Sequence, residues 1–317
     1  MRIAFFTRKK RRTQTPMHVA QSLEQLGHSV KIIQYGRWKD RLGRRLADAI
    51  LFRITRAFGP DLILTWKDCI SAPLLSRLGE RWKTAVLCVD WFAELPAALH
   101  ERARIADLFL VTNPEQLAAF KAGGIRRPVF WPQGFHAESY EPSGEQPADA
   151  SSDVAFIGKP GPPHRRELLK RLDGEFDLAI WGPGWEGLEG EYRGIRHREV
   201  LPGQYQSVCR ASKVMVGRDA AREVELCFSN RLWLTLGCGG FLVTNYVPGF
   251  ETLFENHKHL VWYTSPDECV ELVRDYVGRP DDRRRIAEAG RELIRAEHTY
   301  LERARRLVEL VESLPAK

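Results

Sequence analysis

The chain has 317 residues, of which 44% are hydrophobic, so it is long enough to bury two cores. Its six cysteines form no CxxC pair, which argues against a zinc knuckle or a disulfide framework and favours a cytoplasmic protein. The first apolar stretch, Ile3–Phe6, precedes the cations, unlike a secretory signal, and no run approaches the ~18 apolar residues of a membrane span. We expect a soluble protein, at most peripheral to the inner face of a membrane.

The net charge of +7 is unevenly distributed along the chain. Residues 1–142 contain 23 Lys and Arg against 13 Asp and Glu, whereas the remainder contains 25 against 28. This asymmetry is either a solvated basic surface or an indication that the N-terminal half meets an anionic partner.

Short apolar runs alternate with helical patterns throughout the chain. The predicted strands are RIAFF, SVKIIQY, DLILTW, TAVLCV and DLFLVT, then DVAFIG, DLAIW, KVMVG and GFLVTN. Strands separated by helices predict βαβ units, hence an α/β protein with two doubly wound parallel-sheet domains. The Pro- and Ser-rich residues 143–152 are predicted to link a domain at 1–142 to one at 153–317, whose last helix either stays with it or packs on the first domain.

The first strand is followed by five consecutive cations, where a tight turn is usual. In parallel sheets, ligands gather at the carboxyl ends of the strands. A loop of adjacent cations there forms a surface that collects phosphates. We therefore predict that a polyanion contacts Arg8, Lys9, Lys10, Arg11 and Arg12.

The segment from Trp38 to Phe58 has apolar residues at helical spacing with arginines among them, and predicts a basic amphipathic helix. Two roles stay open. The helix packs one face on a core, or it contacts a membrane surface or polyanion.

The most informative stretch is residues 227–300. It predicts a helix from about Asn230, a turn at Gly239 and Gly240, buried strands at Phe241–Thr244 and Leu260–Tyr263, and two further helices. Ser229, Asn230 and Arg231 at a helix start are an expected anion site, because free backbone N–H groups favour phosphate there.

From Arg231 to Arg303 the order of motifs is specific: NRLW, GCGGFLVTN, PGFETLF and RRRIAEAGRELIRAEHTYLER. This stretch resembles the C-terminal domain of GT-B glycosyltransferases of group 1, in particular the spore-maturation-protein-B-like transferases. The resemblance implies two Rossmann-like domains facing across a cleft, with the acceptor bound by the first and a nucleotide sugar, UDP-linked, bound by the second. It implies no metal and no cofactor beyond that co-substrate.

On this resemblance Arg231 is expected to bind the donor diphosphate, assisted by Lys159 with Arg165 or Arg166. Strand ends and turns add the rest of the predicted donor site: Gly158, Trp181, Arg218, Ser229, Asn230, Gly239 and Gly240. The chain departs from the family at Leu234, where a ribose-binding glutamate is usual. Ribose contacts then come from elsewhere, the nucleotide is unusual, or donor binding is lost.

Inverting transfer needs a general base near the acceptor hydroxyl, whereas retaining transfer does not. Asp90 is our first candidate because it ends a predicted strand beside Trp91, an aromatic face suited to a sugar. Asp68 and His18 are the next candidates. The other interpretation of Asp90 is a helix N-cap.

Three acceptors remain open from the sequence: a phosphorylated surface glycan or lipid-linked saccharide, duplex DNA carrying a hydroxymethylated base, and a protein. The first two fit the basic loop, because both are polyanionic. The competing hypothesis is a non-catalytic polyanion-binding protein on a GT-B scaffold, which Leu234 keeps open.

Overall fold

The computed structural model describes residues 1–8, 15–196, 199–219 and 223–317. They divide into two compact units, one comprising residues 1–133 with 300–317 and the other residues 134–299. Among the residues described, no helix has both the length and the apolarity needed to cross a membrane.

The described part of the chain forms eleven strands: β1 Arg2–Phe6, β2 Ser29–Ile33, β3 Leu62–Trp66, β4 Lys83–Cys88, β5 Leu108–Val111, β6 Pro128–Phe130, β7 Ser152–Ile157, β8 Leu178–Trp181, β9 Ser212–Val216, β10 Leu242–Asn245 and β11 Val261–Tyr263. The first unit holds a parallel sheet in the order β2-β1-β3-β4-β5-β6. The second holds a parallel sheet in the order β11-β10-β9-β7-β8.

The same residues form twelve α-helices and one short 3-10 helix, Phe250–Thr252. The α-helices are α1 Thr15–Gln25, α2 Tyr35–Phe58, α3 Ala72–Gly79, α4 Ala97–Ile105, α5 Leu117–Ala122, α6 Ala137–Tyr140, α7 Pro163–Glu175, α8 Pro202–Ala211, α9 Arg231–Gly237, α10 Pro266–Val277, α11 Pro280–Glu297 and α12 Tyr300–Glu312.

Each sheet is buried on both faces, which explains why the strands are continuous apolar runs. Along β1, Ile3 and Phe5 pack into one core while Ala4 and Phe6 pack into the other, and helices close both cores. The predicted fold class, two doubly wound parallel-sheet domains, is confirmed. Strand β6 was not among the predicted strands.

The units divide at different residues from those predicted. Residues 134–142 lie in the second unit, where Phe135 N–H donates to the His298 carbonyl at 2.9 Å. The predicted linker also packs on that unit, because Ser143 N–H donates to the Gly203 carbonyl at 3.0 Å and Gln204 Nε2 donates to the Glu145 carbonyl at 2.8 Å. Polar side chains and backbone thus hold a segment that lacks large apolar residues.

The last helix, α12, lies in the first unit. Its buried residues Tyr300, Ala304 and Leu307 complete the core beside α1. Arg303 is also drawn in, since its Nε donates to the Pro132 carbonyl at 3.1 Å, and burial lowers the pKa of its guanidinium to about 10.

Helix α2 covers the predicted Trp38–Phe58 segment and begins slightly earlier. It is interrupted at Gly43, whose φ of 73° and ψ of 163° are open to glycine and strained for other residues. Its buried residues include Ala47, Leu51 and Phe52, so the half after the break anchors the helix on the core.

Candidate functional site

The second unit gathers arginines at the carboxyl ends of its central strands. Chain order runs from β7 to β8 on one side and then to β9 on the other, so the topological switch point lies between β7 and β9. Ligands of open parallel sheets bind at such points. Gly158 follows β7 directly, and Arg218 follows β9.

Arg231 is fixed at this edge by two contacts. Its Nε donates to the Ile157 carbonyl at 2.6 Å, and its guanidinium lies 4.5 Å from the centre of the Phe156 ring. Gly158 makes room for it, because a Cβ at that position would lie 2.5 Å from Arg231 Nη2. The predicted donor residues Gly158 and Arg231 therefore lie together.

Arg165, at the start of α7, is buried beside them. Its Nε donates to the Arg218 carbonyl at 2.8 Å and its Nη1 to the Lys159 carbonyl at 3.2 Å. Burial, with the neighbouring charge of Arg231, lowers the pKa of Arg165 to about 10. Lys159 itself is exposed.

Arg218 is 3% exposed, and its Nε and Nη1 contact no hydrogen-bond acceptor among the described residues. Its guanidinium lies 5.9 Å from the Tyr263 ring, whose hydroxyl donates to the Gly217 carbonyl at 2.8 Å. Buried donors are normally satisfied, so these two point to an anion that the site would bind.

One carboxylate, Asp219, lies within this group and partly offsets its charge. Its backbone N–H donates to Asn245 Oδ1 at 2.6 Å, and its Oδ1 accepts from the Ser229 N–H at 3.0 Å. Asp219 was not among the predicted site residues, although it lies three residues after β9, next to the predicted Arg218. We call the group formed by Arg165, Arg218, Arg231 and Asp219 the arginine cluster.

The structure differs from the predicted anion site at the backbone of Ser229 and Asn230. The Ser229 amide is already engaged by Asp219, and α9 is a helix of seven residues. The side chain of Arg231 and its neighbours therefore supply the positive charge at this position.

Three predicted donor residues lie away from the arginine cluster. Trp181 is fully buried in the core, so its indole presents no stacking face. Gly239 and Gly240 precede β10 and therefore lie at the amino edge of the sheet, opposite the switch point. The small residues there serve packing: a Cβ at Gly240 would lie 3.0 Å from Cys209 and Thr235.

Arg166 and Leu234 both contact other parts of the second unit. The Arg166 carbonyl accepts a hydrogen bond from the Tyr192 hydroxyl at 3.0 Å. Leu234, at the family's glutamate position, is partly buried and packs against the core. The described part of α9 thus offers no carboxylate to a ribose at that point.

In the first unit, two predicted catalytic carboxylates follow neighbouring strands. Asp90 forms an ion pair with Lys67, whose backbone is left-handed with φ of 50°. Asp68 pairs with Arg8 at 2.9 Å, and this carboxylate raises the pKa of the Arg8 guanidinium. Asp90 is not a helix N-cap, because the next helix begins at Ala97.

His18 does not lie with these carboxylates at a surface. It is 4% exposed, on α1, with its ring 5.5 Å from that of Tyr300. His18 lies on the buried face of α1, and the sequence prediction considered only its nearness to the basic loop. Trp91 is 38% exposed, as a stacking face requires, whereas Lys9, Lys10, Arg11 and Arg12 lie outside the described residues.

A cavity of about 930 Å³ opens at the carboxyl ends of β1, β2 and β3, which is the switch point of the first sheet. Cations outnumber acids on its walls, which include Arg8, Arg37, Lys39, Arg44 and Arg102 with Asp40, Asp68 and Glu101.

Comparisons with known proteins agree with this architecture. Residues 165–309 match the family model described as glycosyl transferase-like. No curated protein sequence matches the chain. The chain superposes on sucrose-phosphate synthase from Thermosynechococcus elongatus with a TM-score of 0.70 and 15% identity, covering 98% of each chain.

Two further solved structures have the same fold. Anabaena Alr3699/HepE in complex with UDP-glucose gives a TM-score of 0.66 at 13% identity, with 99% of this chain and 100% of that chain covered. An alpha-glucosyltransferase in complex with UDP-glucose and DNA containing an abasic site gives 0.66 at 8%, with the same coverage.

Residues 165–309 thus resemble the glycosyl transferase-like family, and the two parallel-sheet units give the whole chain the GT-B fold. The matched residues run from α7 to α12, and so contain the whole arginine cluster. The narrower resemblance to the spore-maturation-protein-B-like group stays a prediction.

Proposed function

We propose that this protein is a glycosyltransferase that moves a sugar from a UDP-linked donor to a hydroxyl of a polyanionic acceptor, a phosphorylated glycan or lipid-linked saccharide. The observation that carries the donor half is the arginine cluster. Three guanidiniums are balanced there by one described carboxylate, and two buried donors of Arg218 have no acceptor among the described residues.

A diphosphate fits such a cluster by charge and by geometry. Guanidinium groups bind phosphate oxygens through paired N–H donors, and partial burial strengthens these contacts. Negative charge grows on the nucleoside diphosphate as the glycosidic bond breaks, so fixed arginines stabilise the departing group in the transition state. We propose that they act without a metal ion.

The choice of UDP rests on similarity. Two of the superposed structures are described as complexes with UDP-glucose. Because Leu234 replaces the family's glutamate, the ribose contacts of this chain must come from other residues.

The acceptor half of the proposal rests on the first unit. Its basic cavity lies at a sheet switch point and includes Arg8, and the Asp68 and Asp90 carboxylates follow the adjoining strands. Cations there would hold phosphates of the acceptor, while a carboxylate removes the proton from its hydroxyl if the reaction inverts. A retaining reaction needs no such base, so product stereochemistry decides this point.

The direct test is calorimetric titration of the purified protein with UDP, UDP-glucose and other nucleoside diphosphates, with and without magnesium. The variant is Arg231→Gln. The matched control is Arg295→Gln, because Arg295 also donates its Nε to a backbone carbonyl, that of Gly237 at 3.2 Å, and lies 5.3 Å from a phenylalanine ring.

We expect wild type and the Arg295 variant to bind UDP equally, and the Arg231 variant to bind roughly 10- to 100-fold more weakly, as for loss of a charge-assisted contact. If no nucleotide binds the wild type, the enzymatic proposal fails and the non-catalytic polyanion-binding alternative takes its place.

A second candidate is transfer to DNA carrying a hydroxymethylated base. The specific observation is the superposition on an alpha-glucosyltransferase bound to DNA, together with the basic N-terminal half. DNA binding by phosphate contacts should weaken steeply as salt rises. Absence of duplex binding at low ionic strength would exclude this candidate and leave the donor proposal intact.

A further inference from the structure

The first half of helix α2 stands out from the first unit. All ten residues from 37 to 46 are exposed, whereas the residues on either side, Gly36 and Ala47, are not. Tyr35, before the segment, and Leu51, after it, are buried. The 37–46 segment is thus a stretch of helix in which every residue is exposed.

The 37–46 segment is strongly basic. It contains five cations against a single acid, and Lys39 lies 3.7 Å from that acid, Asp40. The cations are Arg37, Lys39, Arg41, Arg44 and Arg45. Such a surface attracts an anionic partner and repels a cationic one.

The same segment exposes three large apolar side chains. Trp38 is 36% exposed, Leu42 39% and Leu46 51%. Within the described residues, five large hydrophobic side chains are exposed, so three of the five lie in these ten residues. Their clustering distinguishes the segment from a basic surface that is merely solvated.

An apolar groove continues this surface toward the sheet. It has a volume of about 620 Å³ and is lined by Trp38 and Leu42 with Ile32 and Ile33 of edge strand β2. Lys31 and Arg41 also line this groove. Apolar surface bordered by cations is the composition of a helix that rests in a membrane interface, with its apolar residues among the acyl chains and its cations at anionic headgroups.

We infer that the 37–46 segment docks the protein on an anionic lipid bilayer, with Trp38, Leu42 and Leu46 inserted at the interface and the flanking arginines on headgroup phosphates. Charge alone would fit DNA equally well. Three exposed apolar side chains favour lipid, because the phosphates of a DNA backbone offer them no apolar surroundings.

The test is sedimentation of the full chain with vesicles of phosphatidylcholine alone and of phosphatidylcholine with phosphatidylglycerol. We expect binding to the anionic vesicles and little binding to the neutral ones. Two variants separate the contributions: Trp38→Ala with Leu42→Ala and Leu46→Ala, and Arg41→Gln with Arg45→Gln.

The charge variant should bind about 30-fold more weakly, since each cation near an anionic surface contributes roughly fivefold. The apolar variant should lose at least about tenfold, with its remaining binding still abolished by salt. Circular dichroism should show both variants folded, because every changed side chain is exposed.

Matched controls use the same chemistry elsewhere on the chain. Trp91→Ala with Leu201→Ala removes the other two exposed large apolar residues, and Arg53→Gln with Arg56→Gln removes two exposed cations of α2 beyond the segment. The proposal is overturned if these controls lose as much binding as the test variants. It is equally overturned if anionic vesicles do not bind, or if duplex DNA binds more tightly than vesicles and is insensitive to the apolar variant.

Because vesicle binding is measured without donor or acceptor, its result is independent of the proposed transfer. Nucleotide binding without vesicle binding would remove only the docking inference, and the reverse would remove only the donor proposal.

Discussion

At the level of single residues, the arginine cluster depends on neighbouring glycines as well as on the arginines, because a glycine has no side chain. Gly158 has no Cβ, and Arg231 occupies the space that one would fill. Gly161, with φ of 65°, plays the same part for the Arg165 guanidinium. Small residues next to strand ends thus allow bulky cations to reach the sheet edge.

Gly158→Ala should therefore weaken UDP binding by displacing Arg231, as well as straining a backbone φ of 156°. We expect a loss of roughly tenfold in affinity with the fold retained, measured by calorimetry and circular dichroism. The control is Gly174→Ala, which has open space around its Cβ and lies in α7, where alanine is favoured over glycine by about 0.5–1 kcal/mol. Equal affinities of the two variants would contradict the role of Gly158.

Asp90 is the predicted base of an inverting reaction, and its partner Lys67 was not foreseen from the sequence. Lys67 keeps the carboxylate in place, and its left-handed backbone marks strain of the kind that collects at functional sites. Turnover of an Asp90 variant distinguishes a catalytic role of this carboxylate from a structural one.

Asp90→Asn should lower turnover by roughly 10²- to 10⁴-fold, the usual contribution of a general base, with UDP affinity unchanged. Asp68→Asn provides the comparison, because Asp68 follows the neighbouring strand and is likewise paired with a cation. Substantial turnover in the Asp90 variant would rule out the assignment, and nuclear magnetic resonance of the product would show whether a base is needed.

At the level of single elements, helix α12 comes last in the chain but packs in the unit formed by residues 1–133. Its sequence is amphipathic, and its apolar face fits α1 of the first unit. Lys83 Nζ of β4 donates to the Val311 carbonyl at 2.8 Å, which adds a polar contact at the far end of the helix.

Leu307→Ala should destabilise the protein by about 2–5 kcal/mol, because Leu307 is fully buried and truncation leaves a cavity. Urea unfolding would measure this, with the exposed Glu309→Ala expected to stay within about 0.5 kcal/mol of wild type. A small effect at Leu307 would mean that α12 contributes little to the core of the first unit.

Helix α2 has an exposed part and a buried part, although its apolar residues follow one continuous helical spacing. The residues after Gly43 include the buried Ala47, Leu51 and Phe52, whereas the segment before it stays exposed. The sequence pattern predicted one amphipathic helix, since the spacing of apolar residues does not reveal which of them have a core to face.

At the scale of the whole molecule, the two units have different chemical tasks in our proposals. The second unit supplies the arginine cluster for the donor, while the first supplies a basic cavity, paired carboxylates and the 37–46 segment. The charge asymmetry of the sequence agrees with this division, because 23 of the 48 Lys and Arg residues lie in the first 142 residues against only 13 of the 41 acids.

Hydrogen exchange followed by mass spectrometry should separate these tasks in the intact chain. At UDP concentrations about 100-fold above the Kd, ligand linkage stabilises the bound state by about 2.7 kcal/mol, so amides of residues 157–165 and 229–231 should exchange more slowly. Anionic vesicles should instead protect residues 37–46. Protection by UDP confined to residues 1–133 would contradict the proposed donor site.

The α/β class, the alternation of strands and helices and the family resemblance all follow from the sequence alone. Each of these depends on local periodicity or on a motif contiguous in the chain, such as the stretch from Arg231 to Arg303. The family resemblance also selected Arg165 and Arg231, and Arg218 was selected because residues after parallel strands meet at one edge of a sheet.

Which candidates share that edge depends on how the chain folds in three dimensions. Gly239 and Gly240 stand at the opposite edge, Trp181 and His18 face the interior, and Lys67 reaches Asp90 from a neighbouring strand. Burial and pairing depend on residues distant in the chain, so periodicity could not supply them. For the same reason, the exposure of the 37–46 segment became visible only once the core that leaves it uncovered was formed.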